Sequence, residues 1–133
     1  MAEGADLVIY GMKGSPFVRK VQVLLAEKGV DFELEGVNIF SAPAWFAAIN
    51  PAKRIPVLCD RSVGTEGVLG TIPDSAAICA YLERKHPERA LYPKDAFAYG
   101  RALAEARGLR AAHPRPAELR RLHRRREPLV SAG

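Results

Sequence analysis

Three short stretches hold the residue types that could do chemistry. Ser15 stands directly before Pro16 and an apolar-periodic run, the pattern of a capping hydroxyl with proline at the first helical position. Backbone N–H groups at a helix start stabilise an anion. A thiolate bound there would have a lowered pKa and be a ready nucleophile, and a serine hydroxyl could donate a hydrogen bond to it. Ser15 would then stabilise the anion of a bound molecule rather than attack anything itself. As a plain N-cap it needs no such role. Neither a hydrolase-type His or Asp beside it nor a G-x-S-x-G elbow is present.

The second stretch is Asp74-Ser75, placed like Ser15 before an apolar helical run. Its carboxylate and hydroxyl could receive a ligand's ammonium and carboxylate; as caps they again need no function. The third is Arg54-Ile55-Pro56-Val57-Leu58. Proline cannot donate to a strand ladder, so it belongs at an edge, a first residue or a bulge. A cis Ile55-Pro56 bond at the strand mouth is one way to keep both proline and strand. The bend would leave backbone groups free to bind. Lys53 and Arg54 add cations suited to a terminal carboxylate. Together these points could hold an extended, peptide-like ligand.

Other reactive residue types are sparse. Cys59 and Cys79 have no C-x-x-C partner and read as small buried apolar residues. His86 stands at a helix end beside Pro87, and His113 and His123 lie in the C-terminal tail. No metal-ligand spacing emerges, and no metal is expected.

The elements that must position these groups follow from periodicity. Leu7 to Tyr10 reads as a buried strand, and Gly11 to Gly14 as a loop. A helix starts at Ser15-Pro16, carries Phe17, Val18, Val21, Leu24 and Leu25 at helical spacing, and closes at Lys28-Gly29. Phe32 to Val37 alternates as a second strand, so the first two strands form a parallel βαβ unit. Pro43 to Ile49 reads as a short helix that presents Trp45 and Phe46 to the core. Ile55 to Cys59 and Val68 to Ile72 read as a hairpin across a polar turn. Asp74-Ser75 starts a helix that ends at Lys85-His86-Pro87. The order βαβ, short helix, ββα predicts an α/β fold with a small four-stranded mixed sheet. It spans residues 1–87. Residues 88–98 read as a linker, and a further helix begins near Ala96. Residues 99–133 form an atypical helical segment with a basic tail.

The 133 residues suffice for one domain with a modest core, and no apolar run is long enough to cross a membrane. The start lacks a signal-peptide pattern, and two cysteines make no disulfide framework, so a reduced, cytoplasmic protein is expected. The net charge of +5 is a property of the tail: residues 1–100 carry 11 Lys/Arg against 12 Asp/Glu, and residues 101–133 carry 9 Arg against 3 Glu. The run Arg120-Arg121-Leu122-His123-Arg124-Arg125-Arg126 is either an acidic-surface or nucleic-acid contact or a disordered, non-native end. It lacks stacking aromatics, which disfavours nucleic acid.

The segments Ser15-Pro16-Phe17-Val18-Arg19-Lys20-Val21, Asn50-Pro51-Ala52-Lys53-Arg54-Ile55-Pro56-Val57-Leu58 and Asp74-Ser75-Ala76-Ala77-Ile78-Cys79-Ala80-Tyr81-Leu82 resemble the N-terminal domain of soluble glutathione S-transferases. Leu91-Tyr92-Pro93-Lys94-Asp95 is similar to that family's interdomain linker. The resemblance implies a thioredoxin-like fold and a cis Ile55-Pro56 bond. It implies glutathione as co-substrate, with Val57 backbone atoms at the cysteinyl part, the neighbouring Ile55 in the site, and Asp74 and Ser75 at the γ-glutamyl end. Arg54, with Lys53, would face the glycyl carboxylate. Ser15 matches the serine of serine-type members, which hydrogen-bonds the thiolate, so conjugation to a small electrophile is the implied reaction. Asp-Ser replaces the family's usual Glu-Ser, and the segment Asp60 to Pro73 is longer than usual. The resemblance implies an all-helical second domain that carries most of the electrophile pocket, and little of it is expected within these residues. A non-catalytic glutathione-binding or interaction module is therefore the alternative, and a homodimer is expected if enough interface remains.

Overall fold

The computed structural model describes residues 4–106. Strand β1 (Leu7–Gly11) leads into helix α1 (Pro16–Lys28), strand β2 (Glu33–Gly36), a 3-10 turn (Ile39–Ser41) and helix α2 (Ala44–Ile49). Strands β3 (Val57–Asp60) and β4 (Thr71–Pro73), helix α3 (Ser75–Lys85), a second 3-10 turn (Pro87–Arg89) and helix α4 (Ala96–Ala106) come next. The sheet order is β2-β1-β3-β4, with β1 parallel to β2 and antiparallel to β3, and β3 antiparallel to β4. This is the βαβαββα arrangement of a thioredoxin-like fold.

Strand periodicity sorts the core into two faces. Leu7, Ile9 and Leu58 face the helix pair α1 and α3, whose Val18, Val21, Leu25, Ile78 and Leu82 are buried against them. Val57 lies on the opposite face with Val37 and Phe46, covered by α2. Phe46 is fully buried as expected, but Trp45 remains 43% exposed. It packs edge-on against Tyr10 instead, at a centroid distance of 5.1 Å.

The caps follow the sequence closely. Ser15 caps α1, and Gly29 closes it at φ 66°, in the left-handed region that suits glycine. Strand β4 is displaced from the expected Val68 to Ile72. The turn runs on through Gly70, which sits at φ 73°, and a Cβ there would lie 2.5 Å from the Asp60 carbonyl. Val68 and Leu69 are left exposed on that turn. Helix α4 begins at Ala96, within the expected linker, and Asp95 caps it by accepting a hydrogen bond from the Ala98 N–H at 2.9 Å.

A buried lysine ties α1 to the chain beyond α3. Lys28 Nζ donates to the carbonyls of His86 (2.7 Å) and Arg89 (2.9 Å) and pairs with Glu83 at 3.1 Å. Glu83 in turn accepts from the Leu91 N–H at 2.9 Å, so the chain leaving α3 is held against α1. No helix among the described residues is long and apolar enough to cross a membrane. The arginine run at 120–126, His113 and His123 lie outside the described residues.

Candidate functional site

Ser15 reaches its place because β1 and α1 are joined tightly. Its N–H donates to the Met12 carbonyl at 3.0 Å, and its Oγ accepts from the Val18 N–H at 3.4 Å. Accepting that bond leaves the hydroxyl proton available to donate elsewhere. Gly11 permits the close start of the helix: a Cβ at this position would stand 2.5 Å from Val18 Cγ2. The 13 residues of α1 then place a helix N-terminus, the positive end of its dipole, beside the serine hydroxyl.

The segment after α2 is organised by Asn50. This residue is buried; its N–H donates to the Phe46 carbonyl, and its own carbonyl accepts from the Lys53 N–H, both at 2.9 Å. Its side-chain amide donates to the Arg54 carbonyl at 2.8 Å. Lys53 sits at φ 52° within this turn. The side chains of Lys53 and Arg54 are exposed, with no ion-pair partner among the described residues. The Ile55-Pro56 bond is cis.

Strand parity decides which backbone groups remain free after the proline. The Asp60 N–H bonds the Gly70 carbonyl across β4, and the Arg61 N–H bonds the Asp6 carbonyl across β1. Polar groups alternate in direction along an antiparallel strand. The odd residues of β3 therefore turn toward β1, and Val57, opposite Tyr10 in the register, has its backbone groups engaged inside the sheet. Ile55 precedes the ladder and is only half-buried.

Asp74 caps α3 by accepting from the Ala77 N–H at 3.2 Å, and Ser75 beside it is buried. Asp74 has φ 74°, a conformation that costs a non-glycine residue about 1–3 kcal/mol and recurs at ligand sites. The far end of α3 is fixed to the sheet through Asp60. This buried carboxylate accepts from Tyr81 Oη (2.6 Å), from the Ser62 N–H (2.9 Å) and hydroxyl (2.5 Å), and from Lys85 Nζ. Burial alone would raise its pKa. The hydrogen bonds from Lys85, Ser62 and Tyr81 outweigh it and hold the carboxyl at about 2.

Two clefts open over these residues. One, of about 560 Å³, is lined by Arg54, Ile55, Pro56, Asp74 and Ser75, with Asn50 and Phe17 among its walls. The other, of about 480 Å³, is lined by Ser15, Pro16, Met12 and Lys53 together with Arg54, Ile55 and Phe17. The shared residues Phe17, Arg54 and Ile55 make them two lobes of one groove. Ser15, Lys53, Arg54, Ile55, Pro56, Asp74 and Ser75 all line it, and Val57 does not. Phe17 and Asn50 are additions. Phe17 reads in sequence as part of the core stripe of α1, yet it is 54% exposed and forms the ridge between the lobes. Asn50 reads as a helix terminator; the adjacent proline hides the reach of its side chain to Arg54.

The cysteines stand apart from this groove. Both are buried, with Cys59 Sγ against the Gly64 carbonyl at 3.7 Å. Burial pushes the Cys79 thiol up, away from a reactive thiolate. No cluster of His, Cys, Asp or Glu among the described residues could hold a metal ion.

Residues 9–90 match the family model for the glutathione S-transferase N-terminal domain. A glutathione S-transferase from Triticum aestivum is 39% identical over 91 residues, covering 68% of this chain and 39% of the relative. Glutathione S-transferase omega-1 from Rattus norvegicus is 34% identical over 89 residues, covering 67% of this chain and 34% of the relative. The crystal structure of rice GST1 in complex with glutathione superposes with a TM-score of 0.61 at 29% identity, covering 78% of this chain and 45% of that one. The chain thus spans between a third and two-fifths of the length of these two curated relatives. It belongs to the glutathione S-transferase family and carries that family's N-terminal domain.

Proposed function

We propose that this chain binds glutathione in the two-lobed groove and presents its thiolate, at Ser15, to a small electrophile. The observation that carries the reading is the groove itself. It runs from a helix-capping serine, past the Ile55-Pro56 bend, to the Asp74-Ser75 pair, with two cations along it that are unpaired among the described residues. These points match the ends of a tripeptide with an ammonium, a thiol and two carboxylates. The rice relative solved with glutathione supports the choice of ligand.

In this reading Asp74 takes the γ-glutamyl ammonium and Ser75 its carboxylate. Lys53 and Arg54 take the glycyl carboxylate. The cysteinyl backbone contact falls to Ile55, because Val57's polar groups face Tyr10; Val57 supports the site from within the sheet. The thiol gives up its proton to solvent. The Ser15 hydroxyl donates to the resulting thiolate, and the N-terminus of α1 adds favourable charge. The thiolate then forms a carbon–sulfur bond with the electrophile while the leaving group departs with its bonding pair. Residues 1–87 are the proposed glutathione-binding unit, joined by 88–98 to the segment 99–133.

One observation favours a second reading, a glutathione-binding module without turnover. The groove lies open to solvent, with Phe17 on its ridge more than half exposed. Titration with glutathione, followed by a turnover assay with an aryl halide, separates the two. Saturable binding with conjugate formation supports the transferase. Saturable binding without conjugate supports the module. Absence of binding removes both.

A further inference from the structure

We propose that Asn50 is a positioning residue that sets the cations of Lys53 and Arg54 for the glycyl end of the ligand. The inference rests on the glutathione reading above and deepens it. The ladder of β3 fixes the chain from Val57 onward, and α2 fixes it up to Ile49. Between them the chain must cross the groove while presenting two charged side chains with no ion-pair partners among the described residues. Two hydrogen bonds shape this crossing, and both end on Asn50. Its carbonyl closes the turn to the Lys53 N–H, and its amide holds the Arg54 carbonyl at 2.8 Å.

The buried position of Asn50 gives those bonds weight. The residue is only 8% exposed, so leaving its amide donor without a protein partner is costly. The amide reaches across four residues and fixes the peptide that joins Arg54 to Ile55, next to the carbon from which the guanidinium side chain projects. Lys53, at φ 52°, is held in the turn that the carbonyl bond closes. Without the amide the turn can sample other shapes, and both cations lose their common aim. The γ-glutamyl contact depends on a different anchor, since Asp74-Ser75 belong to the start of α3, and Ile55, which shares the held peptide, is fixed from its other side by the β3 ladder beyond Pro56.

This separation gives the test. Binding of glutathione and of γ-glutamylcysteine, which lacks the glycyl residue, is measured by calorimetry on the full chain and on Asn50→Ala. The expected result is that Asn50→Ala weakens glutathione about tenfold, the worth of one preorganising hydrogen bond, and weakens γ-glutamylcysteine much less. Partial unfolding would lower both apparent affinities by one factor, so the ratio between the peptides is insensitive to it. Asn50→Leu, of similar size, uncharged and without the donor, carries the test if the alanine variant does not fold. Equal weakening of both peptides, or of neither, overturns the positioning role. Failure of the unmodified chain to bind either peptide overturns the glutathione reading itself.

Discussion

Replacing Asp60 with asparagine isolates the charge that fastens α3 to the sheet. The carboxylate accepts from Tyr81, from both donors of Ser62 and from Lys85, and is almost wholly removed from solvent. Burial raises its pKa and these hydrogen bonds lower it, with a net value of about 2 against an ordinary 3.8. Each tenfold change in proton affinity is worth about 1.4 kcal/mol. The native interactions of the ionised form therefore contribute about 2 kcal/mol of stability at neutral pH. Because the folded value lies below the unfolded one, this contribution is complete above about pH 4 and fades as pH falls toward 2. The asparagine amide cannot titrate. Urea unfolding of both proteins, followed by circular dichroism at constant ionic strength, should show Asp60→Asn less stable by about 2 kcal/mol at pH 7, with the gap closing by about pH 2. A gap of equal size at neutral pH and near about pH 2 would refute the electrostatic account and leave only a shape effect.

Ser15→Ala should raise the apparent pKa of bound glutathione, read from thiolate absorbance against pH, while costing no more than about 1 kcal/mol of stability for the lost cap; an unchanged thiolate titration would count against the serine's role. Gly11→Ala drives a Cβ against Val18 and should lower the urea midpoint by an amount worth about 1–3 kcal/mol, and a variant as stable as the parent would show that the strand–helix contact is looser than described. Lys28→Met breaks a buried pair and strands Glu83, at a cost of about 3 kcal/mol. Adding Glu83→Gln should recover part of that loss, and strict additivity of the two changes would argue against their coupling.

Local signals are legible in the sequence wherever one residue type settles one backbone state. Ser15-Pro16 and Gly29 mark both ends of α1 because a hydroxyl cap, a fixed proline φ and a left-handed glycine act within a single turn. The cis Ile55-Pro56 bond is legible as one way to keep a proline at a strand mouth, and by resemblance. The start of β4 is hidden for the opposite reason. Val68 and Leu69 look like strand residues, but Gly70's approach to the Asp60 carbonyl keeps the turn going and leaves them in water. Phe17 and Asn50 depend on which neighbours the fold supplies. Helical spacing puts Phe17 near the apolar stripe without revealing that the groove lies over its first turn. Likewise, the sequence shows Asn50 beside a proline but not the carbonyl that its side chain meets. Val57 illustrates a third limit, since its backbone direction follows from register, which composition does not carry.

The brevity of β4 has a consequence for how this protein behaves among copies of itself. It is an edge strand, and the backbone groups of Ile72 face β3. The outward positions are Thr71 and Pro73. The Thr71 N–H is already occupied by the Val68 carbonyl at 3.1 Å, and proline has no N–H to offer. That border of the sheet therefore presents no donor row to an arriving strand. Growth of the sheet by edge-to-edge pairing is closed there, which guards a crowded, concentrated solution against one common route to aggregation.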